Sequence, residues 1–100
     1  MIVKETLELH PDREFIKIVV DVAQDTIAAY CDLHIDCAQE LIEHGSKSDD
    51  LWGANVFTKD KSIAYQSMIN ISPARGNRSM EIGDATIRQK VKAVIDRYLP

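Results

Sequence analysis

The densest group of side chains able to do chemistry is the stretch Asn70-Ile-Ser-Pro-Ala-Arg-Gly-Asn-Arg-Ser79. Asn70, Ser72, Arg75, Asn77, Arg78 and Ser79 combine two guanidinium forks with amides and hydroxyls, a donor set suited to phosphate or carboxylate oxygens. Gly76 allows close backbone approach to such an anion. The G-x-x-x-x-G-K-[ST] spacing of a P-loop is absent, so the expected ligand is a small anion. The same residue types also build ordinary connections, in which Asn70, Asn77 and Ser79 bond the backbone and Arg78 pairs with Asp49 or Asp50.

A second constellation is His34-Ile-Asp36-Cys37, with Asp32 just before it. An imidazole beside carboxylates can act as a general base, and a thiol whose pKa is lowered can act as a nucleophile. Three residues at one helix start do not make a triad, however, and the structural alternative is that His34 packs at the strand-to-helix junction while Cys37 is buried. Trp52, the single tryptophan, is read as a subunit-interface anchor or a core residue.

Metal chemistry finds no support in the spacing. His34 and His44 are ten positions apart, and neither H-E-x-x-H nor paired C-x-x-C occurs. No cofactor is implied. Cys31 and Cys37 are six apart, and in a chain whose first residues carry acids instead of an export signal both are expected reduced and buried. Cytoplasmic placement follows from the same reasoning. The apolar run Ile18 to Ala23 is too short to span a bilayer, so no membrane contact is expected.

These residues need a scaffold, and 100 residues with 45% apolar and 28% charged side chains are the composition of one globular domain. Residues 1 to 13 form an arm or a short edge strand around Ile2 and Val3. The span 14–31 reads as a hairpin: Ile16, Ile18, Val20 and Val22 alternate with Lys17, Val19 and Asp21, and the chain turns at Gln24-Asp25. A helix over 33–44 places Leu33 or Ile35, Ala38, Leu41 and Ile42 on one side and ends at Gly45.

A second hairpin over 51–71 turns at Lys59-Asp60-Lys61, and Pro73 stops its last strand before a polar loop over 72–83. The closing helix, 84–99, begins at Asp84 and aligns Ile87, Val91, Val94, Ile95 and Tyr98 on one face. The fold class is therefore α+β in ββαββα order, a four-stranded, largely antiparallel sheet with both helices packed on one face.

From Phe15 onward the chain resembles a family of small bacterial proteins classed as a domain of unknown function. The resemblance rests on Leu33-His34-Ile35-Asp36, on Asp49-Asp50-Leu51-Trp52-Gly53-Ala54-Asn55, and on Ser67-Met68-Ile69-Asn70-Ile71 followed by Pro73 and Asn77-Arg78-Ser79. Ser72 stands where the family pattern has an arginine. The resemblance implies membership and no mechanism.

The net charge of −4 is unevenly spread. Asp32, Asp36, Glu40, Glu43, Asp49 and Asp50 face only Lys47 in their region, whereas Arg75, Arg78, Arg88, Lys90, Lys92 and Arg97 dominate the C-terminal third. Such asymmetry suits a second copy, acidic face to basic face, or an anionic ligand. The function expected is thus a non-catalytic cytosolic binding or assembly module, homo-oligomeric, with a small anion at residues 70–79. The alternatives are a small enzyme or nucleotide-handling protein using His34, Asp36 and Arg78, or nucleic-acid binding through the last helix. Overall acidity, and basic positions that point different ways around that helix, argue against nucleic acid.

Overall fold

The alternating run around Ile18 forms a strand whose even positions are wholly buried, but its odd positions are not solvated: Val19 and Asp21 are as inaccessible as Ile18 and Val20. The computed structural model describes residues 1–66 and 85–99, with Gln66 as backbone only. Its strands are β1 (Ile2–Val3), β2 (Phe15–Asp21), β3 (Thr26–Ala29), β4 (Leu51–Phe57) and β5 (Ile63–Gln66). Its helices are α1 (His34–Glu43) and α2 (Ala85–Tyr98), with one 3-10 turn at Ser48–Asp50.

The strands form one sheet in the order β1-β3-β2-β4-β5, with every neighbouring pair antiparallel. The α+β class holds. The expected four strands become five because Ile2 and Val3 pair with Ala28 and Ile27, making an edge strand of the opening residues. The second hairpin crosses back beside the first through β2 and β4, with Ile18 opposite Ala54 and Val20 opposite Trp52.

The helices do not share a face. Side chains alternate across a strand, and the even positions Ile16, Ile18 and Val20 join Ile27, Ala29, Trp52, Ala54 and Val56 in a core with Val91, Val94 and Ile95 of α2. On the opposite side Val19, Ala28 and Leu51 pack with Cys37, Ala38 and Leu41 of α1. The physical reason is the apolar content of the odd positions: a face carrying Val19, Ala28 and Leu51 needs its own cover.

The face that α2 presents is the expected one, Val91, Val94 and Ile95 being buried and Ile87 and Tyr98 packed at its margin. Leu7 adds to that core from the opening segment, 2% exposed, with its N–H donating to the Tyr98 carbonyl at 2.7 Å. α1 is rotated from expectation. It buries His34, Cys37, Ala38 and Leu41 and leaves Leu33, Ile35 and Ile42 exposed. It ends as expected: Gly45, at φ 102°, donates to the Ile42 carbonyl and Ser46 to that of Leu41, the paired bonds of a Schellman stop.

Cys31 and Cys37 are joined by a disulfide, with their Cα atoms 5.7 Å apart. This corrects the reading of two reduced thiols. The chain leaves β3 through Tyr30, at φ 60°, and turns straight into α1, so the first cysteine of the connection meets the first inward-facing turn of the helix.

Candidate functional site

α1 packs against β1, β3 and β2, and on its side of the sheet the other half is left without a helix among the described residues. Strand parity puts Gly53, Asn55 and Phe57 of β4, and Ala64 of β5, on that half. Gly53 and Ala64 carry little or no side chain. Phe15 and Phe57 are cross-strand partners with ring centroids 5.7 Å apart, and Lys17 opposite Asn55 lies next along the strands.

Glu40 of α1 is held toward β1, its carboxylate accepting from the Met1 amino group at 2.7 Å. At about 100° per residue, Ile35 and Ile42 fall on the flank of the helix away from Glu40. They therefore border the half of the sheet that no helix covers among the described residues. Leu33 is 59%, Ile35 50%, Ile42 44% and Phe15 37% exposed. Except for Met1, these are the large apolar residues the described surface leaves open. Asp36 and Glu43, also seven apart, run beside Ile35 and Ile42 on the outward side of α1.

His34 lies beneath the start of this border, 6% exposed, with Nε2 at 3.0 Å from the Ala54 carbonyl oxygen. A carbonyl only accepts, so Nε2 carries the proton and Nδ1 keeps its lone pair. Burial holds the imidazole below its ordinary pKa and the Lys17 charge adds to that, against the Ala54 bond and the neighbouring Asn55 amide, which favour the proton. Asn55 Oδ1, beside the ring, is buried with no hydrogen-bond partner among the described residues.

Asp36 does not face this imidazole. It is exposed and turns back along its own helix, with Oδ2 at 3.3 Å accepting from the Leu33 N–H. That is a helix-start contact. His34 and Asp36 therefore diverge, and the structure brings together no acid–base pair at this helix start. Trp52 is placed inside the α2-side core, 6% exposed, which leaves its ring little surface to offer a second subunit. Asn70, Ser72, Arg75, Asn77, Arg78 and Ser79 lie outside the described residues.

A concavity of about 210 Å³ opens beside the β1 edge, with Thr6, Glu8, His10 and Tyr30 in its lining. Its Tyr30 hydroxyl is already engaged, donating to the Glu8 carbonyl and accepting from the His10 N–H at 3.1 Å. The aromatic rings of His10 and Tyr30 meet edge-on at 5.0 Å. These bonds tie the opening segment to the sheet. Among the described residues no three His, Cys, Asp or Glu side chains are grouped to hold a metal, and no helix is long and apolar enough to cross a membrane.

Fold and site together define a small α+β domain, in which the described residues form a five-stranded antiparallel sheet with one helix on each face and an apolar border along one of them. The chain belongs to the family described as "protein of unknown function (DUF5674)", whose model matches residues 2–98. No curated protein and no solved structure matches it.

The residues that sequence reasoning missed are Leu33, Ile35 and Ile42 as a surface. Their hydrophobicity alone turns them inward, but His34, Cys37, Ala38 and Leu41 form an equally regular helical face, and that alternative was readable from spacing.

Proposed function

We propose that the protein is a non-catalytic assembly module that associates with copies of itself through the exposed border of α1. The observation that carries this reading is the pair Ile35 and Ile42, two turns apart along one border of one helix, beside a half-sheet that no described helix covers. Single exposed apolar residues are ordinary on any surface. Ile35 and Ile42 aligned on one edge, with Phe15 on the same face of the sheet, are arranged as a contact surface.

The catalytic alternative loses support from the divergence of His34 and Asp36, since a shared proton would need them within reach of one another. We assign the 70–79 loop a small anion on the strength of Arg75 and Arg78, a donor pair suited to phosphate or sulfate. Nucleic-acid binding is less well supported, because Lys90 and Lys92 project to opposite flanks of α2.

Light scattering over a wide concentration range tests the assembly reading. The expected result is a mass that rises with concentration and stays at the monomer value in Ile35→Asp. A strict monomer throughout removes it.

A further inference from the structure

Resting on that self-association, the charge pattern of the two helices names the opposing surface. α1 carries Asp36, Glu40 and Glu43 and no lysine or arginine. α2 carries Arg88, Lys90, Lys92 and Arg97 against Asp96 alone. We propose that the border of α1 docks onto the outward face of α2 in a second copy, so that the chains join head to tail.

The register is compatible. Asp36 and Glu43 lie seven residues apart beside Ile35 and Ile42, and Lys90 and Arg97 lie seven apart on one flank of α2. At 1.5 Å per residue both pairs are spaced by roughly 10 Å. Between the basic flanks the outermost line of α2 is Gln89 and Ala93, both exposed, and the small side chain at 93 lets another helix approach. The aliphatic stems of Lys90 and Arg97 cover apolar surface while their charges reach the acids. The Arg97–Asp25 ion pair, 3.6 Å long with both groups more than half exposed, is weak enough to exchange.

A symmetric contact of α1 with α1 through this border is disfavoured by the same groups, since it sets Asp36 and Glu43 against their own copies. The head-to-tail contact follows from the fold as well. α1 and α2 cover opposite faces of the sheet, so a joined pair still presents one unused α1 and one unused α2. The contact is heterologous and propagates unless a ring closes. A contact made by two short helices is small beside a standard interface of about 1,600 Å², so the association is weak and driven by concentration.

Complementation between two variants tests this. Ile35→Asp with Ile42→Asp disables the α1 border, and Lys90→Glu with Arg97→Glu disables the α2 face, so that the two altered surfaces repel each other. All four positions are exposed, and far-UV circular dichroism with a thermal melt verifies that each variant folds. The expected result is that each variant alone is monomeric in sedimentation velocity, and that their equimolar mixture forms a 1:1 dimer and nothing larger. If the α2 variant assembles like the unmodified protein, the head-to-tail contact is wrong while self-association stands. If the unmodified protein is itself monomeric throughout, both fall.

Discussion

The His34 imidazole Nε2 lies 3.0 Å from the main-chain oxygen of Ala54, so the first residue of α1 is fixed by a side chain to the strand beneath it. The bond is made by a neutral ring. Because burial, and then Lys17, lower the folded-state pKa beneath the ordinary 6.5, the unfolded chain takes up this proton first as pH falls. Stability from His34 is therefore fully present above pH 6.5 and is lost on acidification through the depressed folded pKa. A ring-proton titration by NMR should give a midpoint for His34 below 6.5. A midpoint at or above that value contradicts the buried, neutral assignment.

The disulfide between Cys31 and Cys37 closes a short loop that contains His34 together with Leu33 and Ile35. Cross-links of this kind contribute about 2 kcal/mol, chiefly by restricting the unfolded chain. Reduction should lower the melting temperature by several degrees, and alkylation under denaturing conditions without reductant should label neither cysteine. Two labelled thiols in freshly purified protein would restore the reduced assignment.

Gly45 ends α1 at φ 102°, and a Cβ built there would meet nothing within 4 Å. The cost of Gly45→Ala is thus conformational, not steric. It should be about 1 kcal/mol, read from denaturant unfolding. An unchanged or increased stability would show that the turn does not require the left-handed conformation.

Val19 separates a sheet buried on both faces from one with a wet side. At 0% exposure, packed with Ala28 and Leu51 beneath α1, it should cost about 2 kcal/mol or more when changed to Ser. A solvated position would respond within about 0.5 kcal/mol. Equilibrium urea unfolding distinguishes the two.

Much of this architecture was legible in the residues. The even face of β2, the stop at Gly45 and the stripe from Ile87 to Tyr98 follow from periodicity and from the one residue that tolerates positive φ. The second face of the sheet was not, because on that face Val19 is flanked by Lys17 and Asp21 and Ala28 is itself small, so the signal that a run of large apolar residues would give is broken. Leu7 lies in a segment without a period, so its burial depends on a tertiary contact with α2. Six-residue spacing of cysteines matches no short redox or zinc motif, and only the tight turn after β3 brings the two together. At the candidate site, His34 was expected at the strand-to-helix junction and is found there. The Asn70–Ser79 loop lies outside the described residues.

The account rests on the α1 border being a surface where molecules meet. Amide chemical shifts followed through a dilution series of isotope-labelled protein test that most directly. The expected result is that the amides of Leu33, Ile35, Gln39 and Ile42 shift progressively with concentration while those of the β2 core stay fixed. A spectrum unchanged at these four residues across the whole series would contradict it.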